Sequence, residues 1–492
     1  MVTKLRTDYP SKFEDWRVRL CLLFFGFLMI ATPVLLDAGN SVIDPGANPN
    51  ATPRAGGPLP GLSKGELSLF NAGLKAFAVT NSVKGEFVSP TFGAETGEGL
   101  GPRFNSNSCV SCHVQPAIGG TSPFFNPAFT VATDAGAKNS IPSFITKDGP
   151  VREARFPLVV DANGRIVHPL MRDGGVHALF TVTGRADAPG CNIDQPLFQV
   201  AQEQNNLSFR IPTPVFGAGL IEAIADSTIL NSHASTHTAR LAMAIKGREN
   251  RGRENRTGND STITRFGWKA QNKSLAIFAG EAYNVEMGVT NELFQNERDT
   301  EATPLPASCI FNGVPEDQTN FDELKPGSTF ADVSSDIVKF EIFMRFLAPP
   351  APSCDSFAHL CPSDVQRGRA TFDRIGCALC HTPQLAVSQS SSAAINKQGT
   401  ARLFSDLLVH HMGERLADGV TQGLAGDDEF RTAPLWGVGQ RIFFLHDGRT
   451  SNLVNAIQEH SSPGSEADHV IAEFNRLSTQ DKQDLINFLR TL

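Results

Sequence analysis

Apolar residues along this chain fall into several patterns of different period, and each predicts a different kind of element. From Leu20 to Ile30 they are nearly unbroken and continue through Ala31 to Leu36, with only Thr32 and Pro33 intervening, while Lys4, Arg6, Lys12, Arg17 and Arg19 precede them. A basic stretch followed by an apolar run shorter than the roughly twenty residues of a membrane span has the layout of a secretory signal. Residues 1–36 are therefore expected to direct export, as a signal peptide or an N-terminal anchor that tethers the protein to a membrane. Residues 37–62, rich in Gly, Pro, Ala and Asn and without apolar period, read as an extended linker.

At Ser63 the period becomes helical. Ser63-Lys-Gly-Glu66 has capping-box spacing, and Leu67, Leu69, Phe70, Leu74 and Phe77 follow it. Between residues 141 and 216 short apolar runs such as Phe156–Val160 and Ile166-Val167, separated by Asp161-Ala-Asn-Gly164, predict β-hairpins. Arg248–Asp260 carries both charge signs without apolar period and reads as a solvated loop. Pro349–Pro362 is too proline-rich for an element interior and marks a boundary. Val365–Phe372 then predicts a short helix, and Ser478-Thr-Gln-Asp481 caps a terminal amphipathic helix through Leu485, Ile486, Phe488 and Leu489. The fold class expected is mainly α with some β-hairpins.

Composition narrows the picture little. The 492 residues, 40% hydrophobic and 19% charged, suit a globular chain with more than one core. A net charge of −8 without a basic stripe offers nothing to a phosphate backbone, so nucleic acid is not an expected partner.

Cysteine placement changes it most. Ser108-Cys109-Val-Ser-Cys112-His113 and Gly376-Cys377-Ala-Leu-Cys380-His381 each carry C-x-x-C-H. Two thiols three positions apart can both add to the vinyl groups of one haem, and the following imidazole reaches its iron. A thioredoxin-like dithiol or half a zinc site needs no histidine there. Two covalently attached c-type haems are therefore expected, with His113 and His381 as proximal ligands. Of the nine cysteines, Cys21 lies in the leader, and Cys191, Cys309, Cys354 and Cys361 remain. Export to an oxidising compartment suggests two disulfides. Three pairings are open; the closeness of Cys354 and Cys361 favours that pair, which leaves Cys191 with Cys309.

The two haem motifs have parallel sequels. Phe209-Arg-Ile-Pro-Thr-Pro-Val-Phe-Gly-Ala-Gly219 follows the first, and Phe430-Arg-Thr-Ala-Pro-Leu-Trp-Gly-Val-Gly439 follows the second. This repeat suggests duplication. It divides the chain into an N-terminal cytochrome c-like haem domain with insertions over 63–348, a proline-rich linker over 349–363 and a C-terminal haem domain over 364–492.

With these segments in view, the chain resembles the bacterial di-haem oxidoreductase family, also labelled thiol oxidoreductase-like and related to di-haem cytochrome c peroxidases. The likeness runs over roughly residues 65–492 and includes Phe180–Arg185, Phe209–Ile224, Arg265–Ala270, Met287–Asn291, His411–Gly419 and Phe430–Arg449. It implies two cytochrome c-like domains packed around a haem pair, an exported or periplasmic location, hydrogen peroxide as oxidant, and a small cytochrome or cupredoxin-like electron donor. Calcium between the domains follows by analogy only. The peroxidase relatives place a methionine ligand where His460 stands here, so His381 and His460 would give a bis-histidine iron of lower potential. On the first haem the resemblance points to Glu222 as distal acid/base, with His177 as an alternative distal ligand or proton shuttle. Met287 and Met412 are further soft ligand candidates. Trp436, ranked first, and Trp268 would relay electrons between the haems. Arg210, Arg431 and Arg449, assisted by His446, would hold propionates. In this scheme electrons enter at the second haem and reduce an oxidant at the first. Competing readings are a haem oxygenase acting on an organic substrate, a pure electron-transfer cytochrome, and a dithiol protein with free Cys109 and Cys377.

Overall fold

The computed structural model describes residues 41–47, 52–85, 88–89, 93–94, 99–251, 262–298, 305–388 and 390–492. The expected leader and residues 252–261 of the polar run lie outside the described residues. Among the described residues no helix is long and apolar enough to cross a membrane.

Helix α1 spans Lys64–Ala78, and Ser63 caps it as the sequence predicts. Ser63 Oγ accepts the Glu66 N–H at 3.2 Å, and the Ser63 N–H donates to Glu66 Oε2 at 2.8 Å. A three-stranded antiparallel sheet follows, formed by β1 (Glu153–Arg155) between β2 (Val176–His177) and β3 (Ser208–Arg210). The predicted hairpin over 156–167 survives as a bridge between Val160 and Ile166. Then come α2 (Ala218–Glu222), α3 (Leu275–Met287), α4 (Asp336–Phe346) and α5 (Ser363–Arg374). The pair β4 (Val409–His411) and β5 (Glu429–Arg431) precedes α6 (Leu453–Gln458), α7 (Asp468–Arg476) and α8 (Thr479–Leu489). Ser478 caps α8 by accepting the Asp481 N–H at 3.1 Å. The architecture is mostly helical with a few small sheets.

The same packing occurs twice. Helix α1 lies against α4 through Phe70 on Phe343, with ring centroids 5.5 Å apart, and Phe77 on Phe343 at 4.8 Å. Helix α5 lies against α8 through Phe372 on Phe488 at 5.6 Å. Each crossing closes on a glycine: a Cβ at Gly73 would fall on the Lys339 carbonyl, and one at Gly368 on the Asp484 carbonyl. The sequence repeat also has one shape. Strands β3 and β5 end at Arg210 and Arg431, and each is followed by a glycine in the left-handed region, Gly217 (φ 64°) or Gly437 (φ 75°), and a helical turn. That turn abuts the end of α4 in one case and α8 in the other, where a Cβ at Gly219 or Gly439 would meet the Arg345 or Arg490 carbonyl.

Both disulfides favoured by spacing are formed, Cys191–Cys309 and Cys354–Cys361. Arg248, expected in a solvated loop, departs from that reading. Its guanidinium pairs with Glu429, and its backbone bridges to Val409, because an extended segment there continues the edge of β4.

Replacing Gly368 by alanine should lower the urea midpoint by the equivalent of about 1–3 kcal/mol, since the new methyl has backbone rather than side chain to displace. Gly65→Ala, in the open first turn of α1 with nothing within 4 Å of the added Cβ, should leave the midpoint unchanged or raise it.

Candidate active site: two cavities with a shared wall

The first haem motif forms a single helical turn, Cys109–Cys112, and the second a 3-10 turn, Cys377–Leu379. Gly376, at φ 98°, turns the chain into the latter. After each turn comes the histidine. His113 Nδ1 donates to the Gly120 carbonyl at 3.0 Å and His381 Nδ1 to the Phe404 carbonyl at 3.0 Å. His460 follows the same rule, donating from Nδ1 to the Ala456 carbonyl at 2.7 Å. A proton fixed on Nδ1 leaves the Nε2 lone pair as the group able to bind a metal.

His381 and His460 line one cavity of about 220 Å³. Its walls are apolar, built from residues such as Phe372, Phe430, Phe444, Leu453, Val470 and Leu489. Burial pushes His381 down to about 4, with His460 adding to the effect. Two guanidiniums, Arg431 and Arg441, also face this space. Burial pushes each down to about 10, Arg431 also feeling Arg441, so both remain charged at neutral pH. Arg431 donates to the Gly267 and Thr432 carbonyls, and among the described residues neither arginine has an ion-pair partner. Two imidazoles, an apolar interior and two guanidiniums without an ion-pair partner fit a flat apolar macrocycle carrying two carboxylates.

His113 lines a second and larger cavity of about 550 Å³, together with Cys109 and Cys112. Its walls carry more polar groups than those of the His381 cavity. Glu153 and Glu286 hydrogen-bond to one another here, and Glu286 Oε2 also accepts from Asn105 Nδ2 at 2.7 Å. Burial and the charge of Glu153 push Glu286 up to about 8. Burial also acts on Glu153, but Arg155, 2.6 Å away, and Arg210 hold it below the usual range. One carboxyl of the pair is thus protonated at neutral pH while its neighbour is ionised.

Trp268 lines both cavities, and its Nε1 donates to the Ile211 carbonyl at 2.9 Å. Its neighbour Lys269 is fully buried. Lys269 Nζ donates to the carbonyls of Gly426, Asp427 and Glu429 at 2.8–3.0 Å and lies 3.2 Å from Asp418. Asp418 in turn holds Arg210 at 2.6 Å.

The predicted site residues divide accordingly. His113, His381, His460, His446, Arg210, Arg431, Trp268 and the four motif cysteines line one cavity or the other. Glu222 does not. It accepts the Leu275 N–H at 3.0 Å at the start of α3 and pairs with Arg345 of α4 at 2.9 Å, so the end of α2 ties α3 and α4 together. His177 sits behind the cavity wall, bonded to Asp173 at 3.0 Å and stacked on Phe156 at 3.8 Å. Arg449 is committed to Asp447 and Glu459 outside both cavities. Trp436 packs on Gly217 in the main core and lines neither histidine cavity, whereas Trp268 lines both. Met412 lines the His381 cavity, and Met287 lies beside Cys109, 3.9 Å from sulfur to sulfur. Arg441, Glu153, Glu286 and Lys269 were not singled out from the sequence. Arg441 lies inside the Phe430–Arg449 segment and Glu286 directly precedes Met287-Gly-Val-Thr-Asn291, but neither has a local spacing that marks it. Among the described residues no group of three or more His, Cys, Asp or Glu is placed to hold a metal ion.

Residues 173–492 match the model of a family described as "Di-haem oxidoreductase, putative peroxidase". No curated protein sequence matches the chain. Among solved structures it is similar to hydrazine synthase of Kuenenia stuttgartiensis, at 17% identity over 34% of this chain and 59% of that one, with a TM-score of 0.22. It is similar also to a MauG-like protein associated with microbial copper homeostasis, at 18% identity over 35% and 55%, with a TM-score of 0.25. A third is the diheme peroxidase BthA of Burkholderia thailandensis, at 14% identity over 46% and 65%, with a TM-score of 0.27. The chain spans less than two thirds of the length of each of these three.

Because Glu286 titrates near 8 when folded and near 4.5 when unfolded, its contribution to stability is complete below pH 4.5 and is lost as pH rises through 8. Urea midpoints should fall across that window, at most on the order of 1 kcal/mol per pH unit. Glu286→Gln, which mimics the protonated carboxyl, should flatten the fall and exceed the parent in stability above pH 8.

Proposed function

The chain belongs to the di-haem oxidoreductase family, and from that premise we propose that it is an exported peroxidase passing electrons from the His381 cavity to hydrogen peroxide at the His113 cavity. The observation that carries this reading is the asymmetry of the two cavities. One is apolar and is lined by a second imidazole, His460, besides His381, so both histidines would be available to hold a haem there, which suits electron transfer. The other is larger, more polar and equipped with a carboxyl pair that shares a proton, which suits proton-dependent chemistry.

Cys109 and Cys112 would hold one haem and Cys377 and Cys380 the other through thioether bonds, with His113 and His381 as proximal ligands. Haem, when bound, supplies the one-electron iron chemistry and the site for peroxide reduction. Arg431 and Arg441 would neutralise carboxylates in the His381 cavity. Reducing one peroxide to two waters consumes two electrons and two protons. Glu286, protonated beside ionised Glu153, is the proton donor and acceptor at the peroxide end, in the role that sequence position suggested for Glu222. Arg155 and Arg210 keep Glu153 ionised and so set which carboxyl holds the proton. Trp268, in the wall of both cavities, is the route by which electrons cross. The donor would be a small cytochrome or cupredoxin-like protein in the same exported compartment.

The test is to produce the chain with haem-maturation machinery, quantify attached haem, reduce the protein halfway and mix it with hydrogen peroxide in a stopped-flow spectrometer. Two haems per chain and rapid reoxidation are expected. No attached haem, or two haems that exchange electrons but stay inert to peroxide, would reject the peroxidase reading, the latter in favour of an electron carrier. Glu286→Gln should lower kcat about 10²- to 10⁴-fold. Trp268→Phe should slow electron exchange between the haems, and Trp436→Phe should not.

A further inference from the structure

Tyr283 is the single tyrosine among the described residues, and the sequence holds two. It sits on α3 in the wall of the His113 cavity, 2% exposed. Its oxygen accepts a hydrogen bond from Asn81 Nδ2 at 2.6 Å, and its hydroxyl faces Asp336 Oδ2 at 3.4 Å. Asp336 opens α4, with Lys339 Nζ 2.9 Å from its other oxygen. Asp317 stands beside it, accepting the N–H groups of Asp336 and Ile337 at 2.6 and 3.0 Å. The ring edge meets Phe340 at 5.1 Å, Phe340 meets Phe77 at 6.1 Å, and Phe77 meets His113 at 5.9 Å. The phenol is therefore packed into continuous contact with the His113 side and bonded to a carboxylate on the other.

This placement blocks one kind of chemistry and opens another. Burial, with the negative charges of Asp336 and Asp317, raises the phenol well above its ordinary range, so loss of the proton alone is disfavoured. Loss of an electron together with the proton is different, because the product is neutral and the proton needs only to cross a hydrogen bond to a carboxylate already in place.

We propose that Tyr283 is a redox-active side chain of the His113 site, giving one electron toward the iron there and its phenolic proton to Asp336. The proposal rests on the peroxidase reading, since peroxide supplies the oxidant. In the step, the Tyr283 O–H bond breaks, an O–H bond forms on Asp336 Oδ2, and the iron centre oxidised by peroxide is reduced by one electron. A neutral phenoxyl radical remains. An electron from the external donor, with return of the same proton, restores the phenol. The protein thus stores one oxidising equivalent on a side chain of the cavity wall.

The experiment mixes the fully oxidised di-haem protein with hydrogen peroxide, freezes it within milliseconds and records the electron paramagnetic resonance spectrum. The chain is prepared with ordinary tyrosine, with ring-deuterated tyrosine, and as Tyr283→Phe. Expected is an organic radical whose hyperfine splitting collapses on tyrosine deuteration and whose signal is lost in Tyr283→Phe. Labelling leaves the sequence unchanged, so the assignment does not depend on the variant folding. A radical indifferent to tyrosine deuteration overturns the proposal, as does a tyrosine radical that survives in Tyr283→Phe. Loss of an iron ligand signature in resting Tyr283→Phe also overturns it, making Tyr283 a ligand instead. Oxidation by peroxide without a tyrosine radical rejects this inference alone, whereas no oxidation at all rejects it together with the peroxidase reading.

Discussion

A buried ammonium holds the middle of this protein together. Lys269 Nζ is enclosed by three backbone carbonyls from residues 426, 427 and 429 and by the Asp418 carboxylate, and it lies over the Phe430 ring at 3.9 Å. Removing charges from water costs several kcal/mol per ion, and only near-complete pairing offsets that cost. The arrangement meets the condition by sharing: Asp418 serves both Lys269 and Arg210. Because Arg210 and Lys269 precede the proline-rich segment and Asp418 and the carbonyls follow it, the set forms only when the segments on its two sides are in register. Trp268 is adjacent to the lysine and bonded to Ile211, adjacent to the arginine. Its position in both cavity walls is thus fixed by electrostatics at its flanks.

Around that wall one scaffold is used twice with different linings. The glycine contacts of α1 on α4 recur in α5 on α8, and the strand, arginine and left-handed glycine of the sequence repeat recur as backbone geometry. Backbone equivalence leaves the side chains free to diverge. In the second half the space beside the histidine is filled by aliphatic and aromatic groups from α6, α7 and α8. In the first half it is walled instead by β1 and α3, which bring Glu153, Arg155, Tyr283 and Glu286. Strand β1, between the first haem motif and its sequel, brings Glu153 and Arg155, and α3, beyond the sequel, brings Tyr283 and Glu286.

What the sequence disclosed follows from range. The capping box at Ser63, the N-cap at Ser478, the C-x-x-C-H turns, and the Cys354–Cys361 disulfide are encoded within a few residues, and all were legible. Ion pairs were not. Glu222 stands where an acidic residue was expected, but Arg345, which claims it, is 123 positions away. Glu153 and Glu286 meet across a similar distance in sequence and carry no shared motif. Arg441 and Arg431 differ from the arginine at 449 only in what surrounds them: the latter has carboxylates at hand, whereas the former two face an apolar space. Trp436 was favoured over Trp268 because it stood inside a recognisable segment. Membership of a segment, however, does not say which face of it meets the site.

The three histidines show how much the surroundings decide. His113, His381 and His460 all give their Nδ1 proton to a main-chain carbonyl and keep Nε2 available. Carbonyl bonding of this kind fixes the tautomer and the ring orientation without adding charge, so it cannot by itself make one site different from another. The difference must come from the opposite wall and the dielectric. An apolar wall with two guanidiniums favours a bound anion and resists a change of protonation. A wall in which Glu286 holds a proton beside an ionised neighbour can exchange one at neutral pH. With the wall chemistry divided in this way, electron delivery and proton-dependent reduction need not compete for one pocket, and Trp268 is the side chain both pockets have in common.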